Sequence, residues 1–172
     1  MPNKKIRNAT GCSSNNITFK SQLEKAIYNT LIEQGFTPKY EFMTYELWGS
    51  TTSVTPFYDK ETDKQQTKRV EEGSAIKSKI LVEKSSRIIG IRYTPDFYIR
   101  YKDLDIYIEA KGIENDVFYI KKKLFRKYLD DKFFKTKQHS IFFEVYTKRQ
   151  LLQAIDIFKQ YEQTLNDEKE TK

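Results

Sequence analysis

RIIGIRYTPDFYIRYKDLDIYIEAKG, residues 87–112, is the stretch whose reading decides the fold. β-Branched and aromatic residues dominate it and alternate with polar ones, the period-two signature of strands. Arg87–Tyr93 and Pro95–Tyr101 read as one long strand interrupted near Thr94-Pro95. Lys102–Asp105 reads as a turn, and Ile106–Lys111 as the return strand, closed by Gly112. Period two puts Asp96, Tyr98 and Arg100 on one face of the outgoing strand, and Tyr107, Glu109 and Lys111 on one face of the return strand. With the turn at Lys102–Asp105, or at Asp103-Leu104, Tyr101 faces Ile106 and Asp96 faces Lys111. Asp96 and Glu109 are then diagonal neighbours on one face, their Cβ atoms roughly 7 Å apart or less.

Two short carboxylates at that separation can converge on one ion, with a lysine beside it. Carboxylate oxygens are hard ligands suited to Mg²⁺ or Mn²⁺. Such an ion polarises a scissile phosphate and lowers the pKa of a bound water. Lys111 can position that water or meet charge building on the phosphorus oxygens. The competing reading of the same residues is a surface salt-bridge ladder of Asp96, Lys111 and Glu109 across a hairpin.

Outward from this hairpin the pattern is mixed. Residues 1–18, rich in Asn, Ser and Lys, read as a flexible arm. Ser21-Gln22-Leu23-Glu24 has capping-box spacing and opens a helix with Leu23, Ala26, Ile27 and Leu31 on its stripe, ended at Gln34-Gly35. Tyr40–Trp48 reads as a strand, and Gly49–Lys79 as a long excursion poor in apolar residues, an insertion in a single domain spanning 19–165. Ile80–Val82 is a short candidate strand. After the hairpin come a helix over about Asp116–Leu129 with Val117, Ile120, Leu124 and Tyr128 on one stripe, and a buried-looking strand over Ser140–Tyr146. A last helix opens at a second capping box, Thr147-Lys148-Arg149-Gln150, and carries Leu151, Ala154, Ile155, Phe158 and Tyr161. Residues 166–172 read as a frayed, charged tail. Strand, crossover helix and strand predict a parallel pair at the centre of a mixed sheet, hence an α/β domain in the order α-β-β-β-α-β-α.

The 172-residue length suits one domain with a real core. One cysteine, Cys12, excludes a disulfide framework and a multi-cysteine zinc site, and one histidine, His139, excludes histidine-rich metal chemistry. The formal charge is +7, an argument for a polyanionic partner. No apolar run is long enough to span a membrane, and Met1–Asn16 lacks the apolar stretch of a signal peptide, so a cytoplasmic setting is expected. Lys121, Lys122, Lys123, Arg126 and Lys127 cluster after the candidate site in a segment, Gly112–Lys137, with eight basic and four acidic residues. Such a run is either a solvated face or a phosphate-binding surface that positions nucleic acid without reading sequence. His139 reads as structural, and Cys12 carries no role.

Pro95-Asp96 followed by Glu109-Ala110-Lys111 resembles the PD-(D/E)xK nuclease superfamily. The Thr94-Pro95-Asp96-Phe97 and Glu109-Ala110-Lys111-Gly112 context, with Lys121-Lys122-Lys123-Leu124-Phe125 after it, looks most like phage-encoded endonuclease-like domains of unknown function. The resemblance covers about Phe19–Tyr146, with strong motifs only between Tyr93 and Tyr128. It implies a restriction-endonuclease-like core, with metal held by Asp96, Glu109 and the Ala110 carbonyl, and a catalytic Lys111. Family members often carry a further glutamate on the first core helix, where Glu24 stands, although Glu24 also fits a simple capping-box partner. The Gly49–Lys79 excursion has no counterpart in that pattern. The expectation is an Mg²⁺- or Mn²⁺-dependent deoxyribonuclease of phage or mobile-element DNA metabolism, an endonuclease acting in the host cytoplasm. It is expected to be structure-selective in one variant of the reading and a homodimer if two strands are cut. The alternatives are a catalytically silent nucleic-acid-binding module on the same fold, and a protein-interaction domain using the excursion.

Overall fold

The computed structural model describes residues 11–14, 17–55, 87–112 and 116–170. Two compact units divide the chain: residues 1–47 with 92–172, and residues 48–91. The first carries the helices and the main sheet. Ser21 caps α1 (Gln22–Glu33) as its spacing predicts, its hydroxyl accepting the Glu24 amide at 3.1 Å. Ahead of α1, β1 (Cys12–Ser14) and β2 (Ile17–Phe19) pair as a hairpin, so part of the expected flexible arm is structured against the helix. Phe19 is fully buried and Cys12 packs on the same core, which is why this segment folds back. Residues 1–10 lie outside the described residues.

The expected strand over Tyr40–Trp48 is two strands, β3 (Lys39–Tyr40) and β4 (Tyr45–Trp48). Glu41 between them adopts a φ of 42°, a left-handed turn no strand can contain. Downstream, the long strand expected from residue 87 is three short ones: β6 (Arg87–Ile88), β7 (Ile91–Tyr93) and β8 (Phe97–Tyr101). β8 turns at Lys102-Asp103 into β9 (Leu104–Ala110). The register places Tyr101 opposite Leu104 and Phe97 opposite Ile108, two residues away from the expected pairing. Leu104 explains this: it is fully buried, and a turn through Leu104 would have exposed it. Lys102 takes the left-handed conformation, φ 49°, without the Asn or Gly that normally announces a two-residue turn. Because the shift is two residues, every side chain keeps its expected face.

Four strands form the main sheet in the order β10-β9-β8-β3, with β10 (Ser140–Val145) parallel to β9. The parallel pair is therefore as expected, but it occupies one side of the sheet with β10 as an edge. β9 is the central strand, buried on both faces. On one face Phe97, Ile99, Leu104, Ile106 and Ile108 pack against Ile27 and Leu31 of α1 and against Leu151, Ile155 and Phe158 of α3 (Lys148–Glu170). On the other, Tyr107 packs with Tyr45, Tyr93, Phe118, Phe125 and Leu129, the last three from α2 (Asp116–Thr136). The architecture is a mixed α/β sheet with helices on both faces.

Two helices depart from expectation. α2 turns inward Phe118, Phe125 and Leu129, whereas Val117 and Ile120 of the predicted stripe are half exposed. Apolar residues surround this helix on several sides, so hydrophobicity alone does not select a face; aromatic packing around Tyr93 and Tyr107 does. Ala26 likewise lies on the exposed side of α1. The presumed frayed tail is helical to Glu170, and Thr147 caps α3, accepting the Gln150 amide at 3.2 Å. Asp105, at the far end of β9, is held by Arg100 at 2.7 Å and Lys132 at 2.5 Å. Burial opposes its ionised form, but the Lys132, Arg100 and Tyr98 hydrogen bonds outweigh it and hold the carboxyl below its usual range.

The second unit contributes β5 (Thr51–Thr52), paired antiparallel with β6. Gly90 is required there, since a Cβ at this position would lie 2.5 Å from the Trp48 carbonyl oxygen. The expected strand at Ile80–Val82 and the excursion beyond Thr55 lie outside the described residues. No helix among the described residues is long and apolar enough to cross a membrane.

Candidate active site

Where β8 begins and β9 ends, the sheet opens into a pocket of about 650 Å³, all of it within the first unit. Continuing the hairpin register one step puts Asp96 directly opposite Glu109, closer than the diagonal placement expected. Lys111 then lies beyond the pair instead of facing Asp96. Asp96, Glu109, Ala110, Lys111 and Glu24 all line this one cavity. The predicted set is therefore brought together from three elements, α1, β8 and β9.

Glu109 is buried, so its ion pair with Lys111 is not a solvent-exposed one, and Asp96 meets the Ala110 amide and not Lys111. One of its oxygens accepts the Lys111 ammonium at 2.6 Å, and the other accepts the Tyr93 hydroxyl at 2.5 Å. Asp96 Oδ2 accepts the Ala110 amide at 2.7 Å, while Oδ1 takes no donor among the described residues. Asp96 is pushed up to about 8 by its burial and then by the charge of Glu109, against an ordinary value of 3.8. Tyr93 is raised well above the usual phenol range for the same two reasons, burial first and the Glu109 carboxylate second. The pair is thus two carboxyl groups that repel each other at the pocket wall, Glu109 buried and Asp96 half-buried.

Glu24 reaches back to the start of α1, to the Ser21 hydroxyl and the Lys20 amide and not to the Ser21 amide of a capping box, and it also lines the pocket. Its oxygens accept the Ser21 hydroxyl at 3.0 Å, the Lys20 amide at 2.9 Å and the Tyr40 hydroxyl at 2.6 Å. It is thereby committed to the start of α1, yet it lines the pocket and adds repulsion at Asp96. Burial, and next the Glu24 hydrogen bond, push the Tyr40 hydroxyl above its normal range. Among the described residues, no three or more His, Cys, Asp or Glu side chains are gathered into a ready-made metal site.

The side chains of the basic cluster make different contacts. Lys121 lines the pocket. Lys122 turns inward to Glu144 at 3.2 Å, beside the Phe118 ring. Lys123 covers Tyr119, and Lys127 pairs with Asp131 at 2.9 Å. Arg126 is exposed. His139 binds the Tyr161 hydroxyl at 3.1 Å and packs on Phe133, away from the pocket, in keeping with a structural part.

No family model, curated protein or solved structure matches the chain. Its own geometry is therefore the ground for a functional reading. Sequence reasoning missed four pocket residues or supports: Lys20, Tyr40, Arg92 and Tyr93. Only Tyr93, three residues before Asp96 and at the start of the strongest motif stretch, carried a usable signal. Lys20 is paired with Glu41, and Arg92 carries no ion pair among the described residues.

Proposed function

We propose that this protein is a metal-dependent nuclease, hydrolysing DNA phosphodiester bonds as an endonuclease on a restriction-endonuclease-like core. The observation that carries the reading is the opposed Asp96–Glu109 pair, Glu109 buried and Asp96 half-buried, with Lys111 beside it. Two carboxyl groups forced together in a pocket whose walls also hold Lys20, Arg92, Lys111 and Lys121 suit a divalent cation sandwiched against an anionic substrate. The start of α1 and the start of α2 both reach this pocket, and helix N-termini favour anions.

The donor set fits Mg²⁺ or Mn²⁺. Among the described residues Asp96 has an oxygen without a protein donor, and its pKa is raised by burial first and then by repulsion from Glu109 that a cation would relieve. The Ala110 amide points to Asp96, and in a strand the carbonyl of the same residue points the same way. Asp96, Glu109 and the Ala110 carbonyl would hold the ion, with Glu24 adding negative potential from behind its cap. When bound, such an ion supplies polarisation of the phosphate and a water acidic enough to attack it. Lys111 sits within reach of Glu109, where its ammonium orients a water or meets charge on the phosphate oxygens. Arg92 and Lys121 hold neighbouring phosphates. In the reaction a water oxygen bonds to phosphorus, the strand's P–O bond breaks, and the leaving oxygen takes a proton. The likeness of the Thr94–Gly112 stretch to phage endonuclease-like domains supports phage or mobile-element DNA as the setting.

The test is cleavage of labelled linear, nicked, single-stranded and four-way-junction DNA with Mg²⁺, Mn²⁺ or EDTA. Asp96→Ala and Lys111→Ala proteins run alongside. Cutting that needs the metal and vanishes in both variants is expected. DNA binding without cutting, untouched by either change, would overturn the catalytic reading in favour of a silent binding module.

A further inference from the structure

Glu109 has two oxygens and two unlike partners. Tyr93 approaches from β7 with a neutral hydroxyl at 2.5 Å; Lys111 approaches along β9 with a charged ammonium at 2.6 Å. The Tyr93 ring is buried and wedged against Phe118, Phe125 and Phe142, at centroid distances of 6.3, 4.9 and 6.3 Å. It has nowhere to swing. Lys111 is more exposed, sits on a flexible stem, and its ammonium already lies 4.1 Å over the Phe118 ring, a second favourable resting place. We infer that Tyr93 is the positioning residue for Glu109, fixing one carboxylate oxygen so that the other is exchanged between Lys111 and a divalent cation. This rests on the nuclease reading of the pocket.

The two donors differ in what they leave behind. A neutral hydroxyl orients a carboxylate without cancelling its charge, so Glu109 still attracts a cation. An ammonium cancels that charge and competes with the cation for the same oxygen. Tyr93 therefore aids binding and Lys111 opposes it, and Lys111 is released toward substrate as the cation enters. A purely structural tyrosine would not discriminate in this way. The phenol oxygen stands in an aromatic cluster where phenylalanine would pack equally well, and Glu109 is its hydrogen-bond partner there.

The experiment is calorimetric titration of the full chain with Mn²⁺ alone, for wild type, Tyr93→Phe, Lys111→Met and Tyr45→Phe. Tyr45→Phe removes a hydroxyl from the same cluster, where it donates to Tyr107 and not to Glu109. Losing a hydrogen bond that orients a metal ligand typically weakens affinity roughly 10- to 100-fold, the loss expected for Tyr93→Phe. Tyr45→Phe is expected to bind as wild type, and Lys111→Met at least as tightly. Wild-type affinity in Tyr93→Phe, or an equal loss in Tyr45→Phe, overturns the positioning role while leaving the nuclease reading intact. Should Tyr93→Phe fail to fold, weaker binding by Lys111→Met overturns it instead. Absence of Mn²⁺ binding by the wild type overturns both.

Discussion

Replacing Asp96 by asparagine should change how the metal-free protein responds to pH. An aspartyl carboxyl ordinarily loses its proton near 3.8; in the fold, burial and then the charge of Glu109 push Asp96 up to about 8. Between those values the folded chain holds a proton that the unfolded chain has released. This contribution to stability is complete below the unfolded value and is lost as pH rises through the folded one. With one proton of difference stability falls by about 1.4 kcal/mol for each pH unit between the unfolded and folded values. For a chain of this size each kcal/mol lost is a melting-point fall of roughly 2–4 °C. Asparagine cannot ionise, yet its side-chain oxygen can still accept the Ala110 amide that Asp96 now accepts at 2.7 Å. Asp96→Asn should therefore come nearest the wild type at and below the ordinary carboxyl value of 3.8 and exceed it increasingly toward pH 8. Urea unfolding in EDTA across this range measures the difference directly. Parallel curves for the two proteins would refute the argument that burial and the neighbouring Glu109 hold Asp96 protonated.

Phe125 is fully buried and meets Tyr45, Tyr93, Tyr107, Tyr128 and Phe142, so Phe125→Ala should cost about 3–5 kcal/mol in denaturant unfolding. A smaller cost would mean that α2 does not depend on this ring for its seat on the sheet. In the basic cluster, Lys122→Ala should lower the melting temperature, because it strips the half-buried Glu144 of its charged partner and leaves it the Tyr146 hydroxyl. Arg126→Ala should leave melting unchanged and, if it touches a phosphate, reduce the salt slope of DNA binding by about 0.9. The reverse pattern would show that the inward and outward assignments on α2 are wrong.

Period two was enough to place Asp96, Tyr107 and Glu109 on one face, because alternation survives a register shift of two. It was not enough to place the turn. Lys102 enters the left-handed region without a turn residue to announce it, and only the burial of Leu104 decides the pairing. Capping boxes at Ser21 and Thr147 were legible because they are local: side chain and amide lie three residues apart. The inward face of α2 was not, since what selects Phe118, Phe125 and Leu129 is a cluster of tyrosines from β4, β7 and β9. The supports of the site share this property. Tyr93 reaches Glu109 across 16 residues, and Tyr40 reaches Glu24 across the same separation, contacts that no local period encodes.

The two-residue connection between β8 and β9 has a consequence for the order in which the protein assembles. Hairpins joined by short turns close in microseconds, whereas pairing strands distant along the chain is slower because the intervening loop must first be ordered. Asp96 and Glu109 meet across that hairpin, while β10 joins β9 from 35 residues away, as Ile106 opposite Ile141. The acidic pair is thus brought together early, in a half-built sheet still bathed in water. Its repulsion is felt in full only when α1 and α2 arrive and shut water out. On the nuclease reading, a divalent cation present during refolding is expected to accelerate the last step more than the first.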